Sequence, residues 1–396
     1  MNIRLLDRNN NAAIILAGIL ALIVGVGVSR FAFTSLLPSM LDDFLSVTFA
    51  GVLASTNYIG YLSGAIFAVF IKDINTKVKY FRIGMFLCVF TTLFLSITTN
   101  ETIWLLSRII AGFGAAMALV VGSAIVMTKL KMQSKTKAMG IHFSGIGFSI
   151  LVCDLLMRFV FASDGSWEDS WMVLTIFAFF ATLYSIYILS FDNEMKNASI
   201  SHKFDKSIFS AYVILLIIAY FAVGIGFVVF ATFLPDIINS LDGLDGYGSL
   251  TWTLVGLAGI PSCIIWMNLA EKKGSVNIII IAMFLLFIGI IIPTLTTNVY
   301  LNLLSGILYG GTFVGLVGLF LNVGGKLAGN NPVVLMGAMT TAYGIGQVLG
   351  PLYSVALIEY FKNYNYALYV TAAIVFAGII FLLFAKKIAT DEQNKL

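Results

Sequence analysis

Two stretches of the chain read almost alike: GVGVSRFAFTSLLP (Gly25–Pro38) and GIGFVVFATFLP (Gly224–Pro235). With a two-residue gap they share a pair of spaced glycines, a Phe-Ala step and a Leu-Pro end. The first belongs to an apolar run from Ala12 to Pro38 that contains Arg30. That run is far longer than the roughly 7–15-residue apolar region of a signal peptide, and it matches the roughly 20 residues that cross a bilayer. It is therefore expected to stay in the protein as a first membrane span.

The likeness extends outward from that pair. YLSG (Tyr61–Gly64) echoes GLAG (Gly256–Gly259), LSRIIAG (Leu106–Gly112) echoes LSGILYG (Leu304–Gly310), and SGIG (Ser144–Gly147) echoes YGIG (Tyr343–Gly346). The matches keep the same order at nearly the same separation along the chain. Apolar runs of spanning length begin near Ala12, Ser46, Lys79, Glu101, Thr136 and Ser170, then near Ser207, Tyr247, Ser275, Val299, Pro332 and Tyr364. The expected fold class is an all-α membrane protein with twelve transmembrane helices in two pseudo-symmetric six-helix bundles, residues 1–191 and 207–396, joined by a cytoplasmic linker at 192–206. Duplicated six-helix halves are typical of transporters that rock around a central site.

Composition agrees. Sixty per cent of the 396 residues are apolar and 11% are charged, with mean hydropathy +0.99. A soluble domain carries roughly 25% charged residues because its surface faces water. Placing the N-terminus in the cytoplasm puts Lys77, Lys79, Arg82, Lys129, Lys131, Lys272, Lys273, Lys386 and Lys387 inside, and Asp42, Asp43, Glu101, Asp164, Glu168, Asp169, Asp242 and Asp245 outside. That asymmetry is the positive-inside pattern, with both termini cytoplasmic. Trp167 and Trp171 bracket an outer loop where an aromatic belt is expected.

Several function classes are excluded or disfavoured. Cys88, Cys153 and Cys263 lie in apolar runs with no paired spacing, so neither a disulfide framework nor a metal site is expected. No basic cluster with interleaved aromatics suggests nucleic acid. No HExxH, no nucleophile with a base and no GxxxxGK[ST] loop suggests an enzyme or ATP drive. No cofactor is expected. The expected partners are a small-molecule substrate, protons and the lipid bilayer, and the chain is expected to act as a monomer. A channel, scramblase or sensor remains the other membrane class, separable from a carrier by saturable, gradient-driven flux.

At this point the pattern resembles the major facilitator superfamily. Arg108 followed by Gly112, Gly114 and Ala116 is similar to the span-four motif of that superfamily, whose Arg is implicated in coupling in proton-coupled members. The usual G-x-x-x-D-R-x-G-R-R loop motif is degraded to Gly64, then Asp73 with Lys77, Lys79 and Arg82, with an echo at Glu271–Gly274. GVGVSRFAFTSLLPSM (Gly25–Met40), GYLSGA (Gly60–Ala65) and GIHFSGIGFSI (Gly140–Ile150) resemble the YbfB/YjiJ-type branch. The resemblance implies two six-helix bundles, alternating access and a bacterial inner-membrane location.

Charges inside spans cost about 2.5–3.5 kcal/mol each at the helix centre on insertion scales, so each is a candidate for function. Arg30, Arg108, Asp154 and Arg158 all fall in the outer half of the first bundle. Asp154 and Arg158 share a helix face at i,i+4 and read as a local ion pair. Asp154 can alternatively face Arg30 or Arg108 and act, with Arg108, in proton coupling. Arg30 is matched in the repeat by Val229 and reads as the holder of an anionic substrate group, or else as a structural partner of Asp154. Asn57, Tyr58, Tyr61, Tyr220, Tyr309, Asn322, Tyr343 and Gln347 are either helix–helix hydrogen bonds or substrate contacts; Asn57, Tyr61, Tyr220, Tyr309, Asn322 and Gln347 are the substrate-binding set chosen with Arg30. His142 reads as a packing or capping residue or a pH switch, and His202 as a solvated linker residue. The leading functional reading is a proton-coupled carrier of a small organic anion; the alternative is a multidrug or metabolite efflux transporter.

Overall fold

A computed structural model describes residues 5–71, 73–131, 135–191, 210–327 and 332–393. The linker expected at 192–206, with His202, lies outside the described residues. Among the described residues every regular element is helical. Twelve helices are long and apolar enough to cross a membrane. Spans one to six are Asn11–Leu41, Val47–Phe70, Ile74–Ile97, Glu101–Lys129, Ala138–Ala162 and Trp167–Ile188. Spans seven to twelve are Ala211–Asn239, Tyr247–Lys273, Ser275–Leu295, Val299–Leu327, Leu335–Phe361 and Asn365–Ile388. The chain is an all-α multi-pass membrane protein, and its contacts divide it into two compact units, Met1–Ser199 and Ile200–Leu396.

The helix starts follow local capping chemistry rather than hydropathy alone. Span three begins at Ile74, earlier than the apolar run at Lys79, because the Asp73 carboxylate accepts the Thr76 amide and holds a polar first turn in the helix. Span six begins at Trp167 rather than Ser170 because Ser166 and Asp169 form a reciprocal capping box. That earlier start corrects the outer-loop reading of Trp167 and Trp171. Both lie in the first turns of span six and are buried. Trp167 packs against Phe44 and Trp104, with ring centroids 4.9 and 6.0 Å away, and its Nε1 donates to Asp43 at 2.9 Å. These indoles are packed inside the first unit rather than facing headgroups.

Each unit repeats one packing order. In the first, span two lies along span four, span one along spans five and six, and span three along spans four and six. In the second, span eight lies along span ten, span seven along spans eleven and twelve, and span nine along spans ten and twelve. Glycine allows the closest of these approaches. A Cβ built on Gly112 would stand 1.9 Å from the Asn57 carbonyl oxygen, and one on Gly310 would stand 2.2 Å from the Val255 carbonyl oxygen. Those two glycines end the paired sequences LSRIIAG and LSGILYG. Small residues thus let backbones touch where lipid supplies no hydrophobic drive. The three cysteines are buried free thiols.

Candidate functional site

The site of the first unit is built around a widened turn of span one. Ile23–Phe31 is a π-helix: the Ala32 amide reaches the Gly27 carbonyl, and the Ser29 hydroxyl donates to Val24 at 3.0 Å, five residues back. Such π turns often mark functional positions. Here the Ser29 carbonyl takes two side-chain donors. Arg108 Nη1 on span four donates to it at 2.8 Å, and Asn57 Nδ2 on span two donates at 3.3 Å. Arg108 Nε also reaches the Leu53 carbonyl at 3.4 Å, and its guanidinium lies 4.6 Å from the Phe33 ring centroid. Asn57 Nδ2 returns the connection by donating to the Arg108 carbonyl at 2.9 Å. Three spans meet in one node.

Arg30 follows Ser29 in the chain and is only 7% exposed. Its guanidinium carbon lies 4.5 Å from the ring centroids of both Tyr58 and Tyr61. Its Nε and Nη2 have no hydrogen-bond partner, and among the described residues it has no ion pair. A buried guanidinium held only by π faces keeps its fork of donors open for a planar anion. Asn57 Oδ1 is likewise buried without a partner.

Asp154 goes elsewhere. It is 2% exposed, and its Oδ2 accepts Arg158 Nε at 2.9 Å while the Arg158 side chain is 40% exposed. The charge pairs within its own helix face, and the long Arg stem carries its head outward. His142 is buried, with Nε2 paired to the Ser123 hydroxyl at 2.8 Å and Nδ1 without a partner.

The predicted residues of the second unit sit in a ladder of rings. Tyr220 lies between Phe320 and Tyr343, with centroids 4.6 and 4.7 Å away and planes within 20°. Phe227 continues the ladder from Tyr343 at 6.1 Å to Phe313 at 5.2 Å, and Tyr309 stacks on Phe313 at 5.2 Å. The Tyr309 hydroxyl donates to the Phe227 carbonyl at 2.8 Å. Asn322 stands apart, its amide 3.8 Å from Met267 Sδ. Gln347 is 2% exposed, with Oε1 lacking a partner.

The structure therefore brings Arg30, Asn57, Tyr61 and Arg108 together, and separately gathers Tyr220 and Tyr309. Sequence reading missed the Ser29 carbonyl as the shared acceptor and the phenylalanines as ladder members. The close-spaced Gly25 and Gly27 were the only hint of an irregular turn.

A family model described as "Uncharacterised MFS-type transporter YbfB" matches residues 22–383. The chain belongs to this family. It is accordingly a secondary transporter of the major facilitator superfamily and not an enzyme. In fold it is similar to the nucleoside transporter NupG, whose crystal structure aligns with a TM-score of 0.73 at 13% identity, covering 94% of this chain and 99% of that one. No curated protein matches the transporter in sequence.

Proposed function

We propose that this transporter carries a small organic anion across the bacterial cytoplasmic membrane by alternating access, coupled to protons, as a monomer with both termini inside. Residues 1–191 and 207–396 would act as its two bundles. The single observation that carries the anion reading is Arg30: buried, without an acidic partner, and with Nε and Nη2 unbonded. A charge in a span is costly, and a cation kept there with open donors needs a reason to be kept. Its anion is that reason. Asn57 and Tyr61 complete the contact, and Tyr220, Tyr309, Asn322 and Gln347 are the candidate contacts of the second unit.

Asp154 and Arg108 are the proposed coupling residues. Asp154 is paired with Arg158 at 2.9 Å, and the proposed proton site is its carboxylate. A change of state that parts them would load the proton. The Lys and Arg bias toward one side supports the orientation.

The test is thermal unfolding of the purified transporter with organic anions, sugars and lipophilic cations, at acidic and neutral pH. A ligand at 100 times its Kd stabilises by about 2.7 kcal/mol. An anion class should stabilise the wild type and not Arg30→Ala. In liposomes Asp154→Asn should abolish uptake driven by a pH gradient; intact pH-driven uptake would remove Asp154 from coupling. Stabilisation by neutral or cationic ring compounds alone would favour the second reading, metabolite efflux, for which the ring ladder and a nucleoside-transporting fold neighbour speak.

A further inference from the structure

The free polar atoms of the first unit are of two kinds. Arg30 offers Nε and Nη2, and these adjacent donors form one edge of the guanidinium, the edge that grips a carboxylate with two parallel bonds. Asn57 offers an acceptor. Its amide nitrogen must face the Ser29 and Arg108 carbonyls, since both partners are acceptors, and that orientation leaves Oδ1 buried and unbonded.

The two kinds belong to neighbouring contacts between the same two spans. Asn57 is bonded to Ser29, the residue before Arg30, and Arg30 lies over Tyr58, the residue after Asn57. These are two successive rungs between spans one and two. A solute that fills both rungs needs two in-plane acceptor oxygens and, within a few bonds of them, a hydrogen-bond donor. Charge selects which donor. Arg30 and Arg108 are both buried cations, and Arg108 is bonded to backbone carbonyls rather than to an acid. An ammonium donor would be repelled there, and a neutral hydroxyl would not. The two tyrosine faces on the Arg30 guanidinium favour in-plane approach at its edge, which suits planar carboxylate better than tetrahedral phosphate.

We infer that the site around Arg30 and Asn57 is built for a short hydroxy-monocarboxylate, the carboxylate on Arg30 and the hydroxyl donating to Asn57 Oδ1. This rests on the anion reading above and narrows it.

The experiment uses the wild-type transporter in detergent, with apparent affinities taken from thermal unfolding. The ligands are a matched series: a three-carbon carboxylate, its 2-hydroxy and 2-amino derivatives, and inorganic phosphate. The hydroxy acid should bind at least fivefold tighter than the unsubstituted acid and more than tenfold tighter than the amino acid or phosphate. In Asn57→Leu the affinity ratio of hydroxy to plain acid should fall to about one; should Asn57→Leu fail to fold, the wild-type series alone decides. Equal binding of hydroxy and plain acids would overturn this inference and leave the anion reading standing. Binding of the amino acid or phosphate as tight as that of the hydroxy acid would also overturn it. If no carboxylate or other organic anion in the wider panel bound, the anion reading itself would fall.

Discussion

The core of the first unit keeps two cations and the core of the second unit keeps a ladder of rings, and the two arrangements answer different demands. Arg30 and Arg108 are held by carbonyl oxygens and π faces, with a π-helical turn in span one bent to present Ser29 to them. At the repeat position of Arg30 the second unit has Val229, buried in an unbroken helix from Ala211 to Asn239. There the Tyr309 hydroxyl is given to a carbonyl and the rings stack on one another, while Gln347 Oε1 stays unbonded. Two halves can share helix order and glycine contacts while only the first buries arginines in its core. The departure is what the anion proposal rests on, and the ring ladder of the second unit is its counterpart.

That contrast can be broken by substitution. The largest effect belongs to the ring ladder. Tyr220→Ala removes a fully buried ring stacked on both faces, and large aromatic truncations cost about 3–5 kcal/mol. The unfolding midpoint in detergent should fall sharply, and a midpoint near wild type would mean the ladder is not the core of its half.

Arg30→Met should act in the opposite direction. The unpaired charge is removed and the stem volume kept, so thermal stability should rise, by on the order of 2 kcal/mol, while anion stabilisation disappears. A loss of stability would show that Arg30 supports the fold, and the comparison between halves would then lose its point.

The smallest effect concerns the loop just before span twelve, where the Tyr364 hydroxyl donates to Asp236. Burial, then the neighbouring carboxylate, push this phenol well above its ordinary value of 10.0. The folded chain keeps a proton that the unfolded chain releases above about pH 10, so the contribution is full below that pH and lost as pH rises beyond it. Stability should decline above about pH 10 by at most about 1.4 kcal/mol per pH unit, and Tyr364→Phe should flatten that slope. An unchanged alkaline slope in the variant would assign the loss to other groups.

Much of this was legible in the chain. The twelve spans follow from apolar run length, and the pairing of halves from four short echoes, because lipid permits few architectures and imposes them strongly. Arg30, Arg108 and Asp154 stood out because charge in such runs is rare. What could not be read was partnership. Asp154 had three candidate cations, and helix geometry alone put Arg158 within reach of 2.9 Å. Asn57 was one of eight polar candidates, and only packing singled it out, through Gly112 bringing span four against its carbonyl. Trp167 looked interfacial because aromatic content does not say whether a ring faces lipid or a neighbouring helix.

Sequence by itself determined the solvent of this protein, its span count and the places where charge enters the apolar phase, since these depend on transfer free energies summed along the chain. Tertiary structure alone decided which carbonyl receives Arg108, which rings lie over Arg30 and which polar atoms remain unbonded. Those outcomes depend on the rotation and close approach of separate helices, set by small residues and the widened turn of span one, and no local pattern along the chain encodes them.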